Sequence, residues 1–147
     1  MKVDRWADAV AHLRAVDVRW HPLIERAGPC RLRPVRDRFG TLVRAIISQQ
    51  ISTRAAATID GRVRVLAGGP HEPSTILGLG EAGLRSCGLS GVRASYVQNL
   101  AEAVRSGQLP LKTIGRHDDQ AIRDRLTAIK GIGPWTAEMF QIGRAHV

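Results

Sequence analysis

The chain has 147 residues, enough for one domain, and 44% of them are hydrophobic, enough for a packed core. Aromatic residues make up only 4%, so that core must be built from Leu, Ile, Val and Ala. The formal net charge of +9, carried far more by Arg than by Lys, favours polyanionic partners, the plainer reading being a basic protein with no nucleic-acid role. No apolar run is long enough to span a bilayer, and the first twelve residues lack the pattern of a signal peptide. The two cysteines, Cys30 and Cys87, have no metal-ligand spacing, which points to free thiols in a reducing compartment, the cytoplasm.

The pattern is helical nearly throughout, and an all-α domain is expected. Asp4 is placed to cap a first helix carrying Trp6, Val10 and Leu13. Asp17 is placed to cap a second over 18–27, closed by Gly28-Pro29, although Pro22 interrupts its first turn. Residues 31–36 read as a loop. Asp37 then caps an apolar helix over 38–48 with Phe39, Leu42, Val43, Ile46 and Ile47 inward. Ser52 caps the next, 53–67, which ends at two glycines. Short helices are expected at 74–79 and 81–87, and Ser90 caps one over 91–105. His117 or Asp118 starts the helix 119–129.

Beyond that helix comes Leu126-Thr127-Ala128-Ile129-Lys130-Gly131-Ile132-Gly133-Pro134-Trp135-Thr136-Ala137. Two glycines flanking one apolar residue between helices form a helix–hairpin–helix signature. Backbone N–H groups at the start of the second helix make an anion site, reinforced by the helix dipole. Gly131 and Gly133 are expected to adopt positive φ and admit a phosphate closely. Pro134 at the first helical position removes no needed donor. Thr136 adds a hydroxyl and Lys130 a charge. The plainer reading, an ordinary corner between helices, accounts for the glycines but not for this whole set.

The pair Gln49-Gln50 interrupts two apolar helices. Either the two amides bond the loop backbone, or one enters DNA while the other supports it. Trp135 is either a core tryptophan or a face on which a flipped base stacks, with cation–π attraction for a cationic base. Arg93 could meet a phosphate, a helix end or only solvent.

Together these segments resemble the helix–hairpin–helix DNA glycosylase superfamily, most nearly its 3-methyladenine DNA glycosylase II branch. The residues that carry the resemblance are 22–26, 39–52, Gly88-Leu89-Ser90 with Arg93-Ala94, and the hairpin, which span most of the chain. The resemblance implies a two-lobed all-helical fold with a cleft, of which part of one lobe is expected to be missing. It implies a double-stranded DNA partner with alkylated bases, and a monomer. Gln50 would fill the gap left by a flipped nucleotide. Gly131, Gly133 and Thr136 would hold the phosphate, with Gln49 and Lys130 beside the DNA. The carbonyls of Thr127, Ile129 and Ile132 would hold a monovalent cation, with no other cofactor. Trp135 would line the base pocket; bifunctional relatives have a lysine there that forms a Schiff base, so a monofunctional, base-removing type is implied.

The family's catalytic aspartate falls roughly twenty residues past the hairpin, where this chain has no residue. No catalytic residue is therefore assigned, and the fragment is expected to bind DNA but scarcely cleave. Residues 142–147 match one reading frame of a common sequencing-library adapter, so the expected glycosylase portion is 1–141 with an artefactual tail. The competing reading is a non-catalytic helix–hairpin–helix DNA-binding module.

Overall fold

The computed structural model describes residues 6–33 and 35–144, with the backbone alone for 143 and 144. Asp4 and residues 145–147 lie outside the described residues. The described residues hold eight α-helices, one 3₁₀ turn and no strand. They divide into two compact units, meeting in sequence at Arg33 and Pro34.

The N-terminal unit contains α1 (Ala7–Val16) and α2 (Trp20–Ala27). The second helix starts two residues later than the capping pattern predicts. The carboxylate of Asp17 is taken by the Arg19 N–H and guanidinium, which forms a turn ahead of the helix. Pro22 is then the third helical residue, where no intrahelical donor is required, so the helix tolerates it. The Trp6 indole donates to the Leu32 carbonyl at 2.9 Å and ties the start of the unit to its end. Neither helix buries a residue, and Leu13, Val16, Trp20 and Leu23 are exposed. Local stability follows buried apolar contact, so amides of residues 7–27 should exchange hydrogen near the rate of a short isolated helix. Protection there matching that of residues 38–47 in a hydrogen-exchange experiment would contradict this.

The second unit is built around α3 (Arg38–Ile47). Asp37 caps it by accepting from the Gly40 N–H at 2.9 Å. Gly40 is required beneath that cap, because a Cβ there would overlap the Asp37 carboxylate. Phe39, Leu42, Val43, Ile46 and Ile47 are all buried, as the helical period predicts. This helix packs against α4 (Thr53–Ala67), α6 (Gly91–Arg105) and α8 (Pro134–Arg144). Ser52 and Ser90 cap α4 and α6 by accepting from the N–H three residues on.

The two short helices expected around residue 80 form one element, α5 (Pro73–Ser86), broken at Gly80 with φ 63° and ψ 178°. The Gln98 amide of α6 donates to the Ile76 carbonyl at 2.7 Å, beside that break. His71, 3% exposed, joins α4 to the start of α5 through Nε2, 2.7 Å from Asp60 Oδ1. A 3₁₀ turn at Ile114–Arg116 was not legible from periodicity. Its approach is held by Arg38, which donates to the carbonyls of Leu111 and Lys112. Then α7 (Asp119–Thr127) starts at the Asp118 cap and ends two residues short of the expected Ile129. The Ile129 N–H turns back to Leu126 O, which opens the hairpin.

Residues 142–144 continue α8.

Candidate nucleic-acid interface

The hairpin runs from Ala128 to Gly133 between α7 and α8. Two short bonds shape it: Ile129 N–H to Leu126 O at 3.1 Å, and Ile132 N–H to Ile129 O at 3.0 Å. Ile129 and Ile132 are buried and anchor the turn to the core, while Lys130 between them is exposed. Below the turn, Gln141 of α8 donates to the Asp119 carbonyl, and Arg123 of α7 lies 3.5 Å from Glu138 of α8.

The two glycines do different work. Gly131 has φ 106°, a conformation L side chains rarely adopt. A Cβ on it would lie 2.7 Å from Tyr96 Cδ2 and closer to Cγ, so the ring of α6 is packed directly against the turn. Gly133 keeps a negative φ, which corrects the expectation of a left-handed residue there. The following proline restricts its predecessor to extended backbone. A Cβ on Gly133 would meet nothing within 4 Å, so the space over this residue is open.

That open space adjoins the start of α8. The N–H groups of Gly133, Trp135 and Thr136 have no acceptor among the described residues, and Ala137 is the first to bond back, to Gly133 O at 3.1 Å. Unpaired donors at the positive end of a helix dipole, with no side chain over Gly133, are what an anion needs to approach the backbone. Thr136 itself is 7% exposed, so most of its side chain belongs to the core.

The glutamine pair divides in the same way. Gln49 reaches across 82 residues of sequence and donates to the Gly131 carbonyl at 2.8 Å. It therefore braces the hairpin. Gln50 is exposed and carries no hydrogen bond among the described residues, and its φ of 56° is the one positive value among described non-glycine residues. A glutamine held left-handed costs about 1–2 kcal/mol. Such strain collects at functional sites. Trp135, 70% exposed at the first turn of α8, is not a core residue. Arg93 is half-buried, with no ion pair among the described residues. Tyr96 was not singled out from sequence; its only early signal is an aromatic residue in the stretch following Ser90.

The carbonyls of Thr127 and Ile132 accept no hydrogen bond among the described residues, and that of Ile129 accepts one. No group of three or more His, Cys, Asp or Glu side chains suited to a metal occurs among the described residues. Asp118 is committed to its cap, accepting from Ala121 N–H at 2.8 Å. No helix among them is long and apolar enough to cross a membrane.

Residues 43–142 match the model of the HhH-GPD superfamily of base excision DNA repair proteins. The chain belongs to that superfamily. It is 33% identical over 140 residues to DNA-3-methyladenine glycosylase 1 of Schizosaccharomyces pombe, covering 91% of this chain and 61% of that protein. It is 30% identical to DNA-3-methyladenine glycosylase 2 of Escherichia coli, covering 88% of this chain and 52% of that protein. Among solved structures, DNA-3-methyladenine glycosidase of Bacillus halodurans superposes with a TM-score of 0.80 at 38% identity, over 87% of this chain and 59% of that one. The S. pombe enzyme Mag1, in complex with abasic DNA, superposes with a TM-score of 0.76 at 32% identity, over 90% and 68%. The chain thus spans about half to two-thirds of the length of these relatives. The expected all-helical glycosylase fold is borne out.

Proposed function

We propose that this chain carries the DNA-gripping portion of a monofunctional DNA glycosylase. The parent enzyme hydrolyses the N-glycosidic bond of alkylated purines of the 3-methyladenine type during base excision repair. One observation carries the reading: three unpaired N–H donors at the start of α8, open to solvent over Gly133, on a turn braced by Gln49 and Tyr96. That is a rigid cradle for a DNA phosphate. The abasic DNA in the Mag1 structure supports duplex DNA as the partner.

The other residues take roles around this grip. Lys130 adds positive charge beside the turn. Gln50 enters the stack and holds the gap open, and Trp135 offers an exposed face to the extruded base. A purine nucleotide alkylated at N3 is cationic, so stacking is joined by cation–π attraction. With an indole at position 135 and no amine, the reaction is base removal by water and not strand cleavage through a Schiff base. A monovalent cation would fit the lone pairs left on the carbonyls of Thr127, Ile129 and Ile132, where it would add positive potential toward the phosphate. No catalytic residue is assigned among the described residues: Asp118 caps α7, Asp124 accepts from the Gln120 amide, and Glu138 faces Arg123. The protein acts as a monomer, and its free Cys30 and Cys87 suit a reducing, cytoplasmic setting.

The test uses the open position. Gly133→Val adds bulk where nothing packs, so the fold should survive while the phosphate is kept from the backbone. Loss of one such contact should weaken duplex binding by roughly tenfold at low salt, with little change in the log–log salt slope because no charge is removed. Equal affinity for a labelled duplex in wild type and variant, with unchanged circular dichroism, refutes the phosphate assignment.

A further inference from the structure

A second basic feature lies apart from the hairpin. Along α4, Arg54, Thr58 and Arg62 recur every four residues, and so stand on one face of the helix. They line an open groove of about 460 Å³ with Ser52, Ile59 and Gly88. Arg54 and Arg62 are both exposed, and neither guanidinium makes an ion pair or hydrogen bond among the described residues, although the Arg54 carbonyl accepts from the Thr58 hydroxyl. The far wall is the turn at Gly88, with φ 109°, whose missing side chain would stand 3.3 Å from Ile59 Cγ1 and 3.7 Å from an Arg62 guanidinium nitrogen. No carboxylate lines the groove. Among the described residues only Arg19, Arg44, Arg105 and Arg123 pair with carboxylates, so what distinguishes Arg54 and Arg62 is that both line one concavity free of carboxylates.

We propose that this groove is a second DNA-backbone track, holding phosphates of a strand that leads away from the Gln50 wedge. Ser52 opens the groove two residues after Gln50, so the track begins where the duplex is parted. Arg54 and Arg62 stand about 12 Å apart along the helix axis at 1.5 Å per residue. That separation covers about three nucleotides of one strand at 3.4 Å each. The groove has no aromatic wall on which a base could stack, so it suits sugar–phosphate and not a nucleobase. Guanidinium groups with free forks match phosphate oxygens two at a time. The Thr58 hydroxyl, which donates to the Arg54 carbonyl, lies between the two charges, and the Ser52 hydroxyl, which caps α4, lies at the start of the groove.

The proposal rests on the DNA-binding reading above but not on the hairpin. Its test is a salt titration of duplex affinity on the 147-residue chain, comparing Arg54→Gln/Arg62→Gln with Arg64→Gln/Arg85→Gln. Both pairs remove the same charge from exposed sites, and only the first lies in the groove. The groove pair should lower the log–log salt slope by about 1.8 and the affinity by roughly tenfold or more, while the control pair changes both far less. Equal losses from the two pairs overturn the track and reduce it to general charge. A groove pair that leaves affinity intact while Gly133→Val still weakens it also overturns the track, and leaves the hairpin reading standing. Inorganic phosphate titrated alone provides the last arm. If phosphate binds wild type at low millimolar concentration, is lost in the groove pair, and duplex affinity is unmoved, the groove is a small-anion site and the proposal fails.

Discussion

Replacing Gly131 with alanine is expected to be the most damaging single-methyl change in this protein. Two costs fall on one atom. The residue sits at φ 106°, where a Cβ costs on the order of 1–2 kcal/mol. The same Cβ would enter the Tyr96 ring, and forcing a group into packed space costs typically 1–3 kcal/mol more. The sum, about 2–5 kcal/mol, should lower the melting temperature of the second unit by roughly 10–20 °C. Duplex affinity should fall with it, because the carbonyl that Gln49 holds belongs to this residue. Tyr96→Ala on its own should be destabilising. Combined with Gly131→Ala it should cost less than the two single losses added, since the clash is gone and only the backbone strain remains. A Gly131→Ala protein that melts with wild type, or a double variant that is simply additive, would show that the ring does not pack on the turn.

The contrast between Gly131 and Gly133 also shows what sequence could and could not reveal. Both glycines read alike in the pattern Gly131-Ile132-Gly133, and both were expected to be left-handed. Only the packing of Tyr96, 35 positions earlier in the numbering, separates a glycine needed by the fold from one left open to a ligand. Features set by neighbours along the chain were legible. The caps at Asp37, Ser52, Ser90 and Asp118 each rest on one bond to an N–H three residues on, and all four formed. The inward stripe of α3 rests on the helical period and is buried as expected. What sequence left open was decided by distant partners. The choice between loop-bonding and DNA-facing glutamines turned on Gln49 meeting the Gly131 carbonyl. The groove beside α4 needed the Gly88 turn to close it; the spacing of Arg54, Thr58 and Arg62 was visible in the chain but reads as an ordinary solvated face.

Gln50 yields the prediction in which stability and function should move in opposite directions. Its backbone is left-handed and its side chain is free, so the folded protein gains nothing from having glutamine there. Gln50→Gly should leave the melting temperature unchanged or raise it, by up to about 1–2 kcal/mol of relieved strain. If the side chain fills the space of an extruded nucleotide, that variant should lose selectivity for a duplex already missing a base. Holding a gap open offsets part of an unstacking cost of a few kcal/mol, so the ratio of abasic to intact duplex affinity should fall by roughly tenfold. Gln50→Ala separates the two effects: it keeps the left-handed strain, and so should be no more stable than wild type, yet it should lose the same selectivity as glycine. Binding titrations on matched abasic and intact duplexes, with thermal melts of the three proteins, read both quantities. A glycine variant that is less stable and retains its abasic preference would make Gln50 a structural loop residue. The strain would then belong to the fold, and the wedge would have to be sought elsewhere on the loop between α3 and α4.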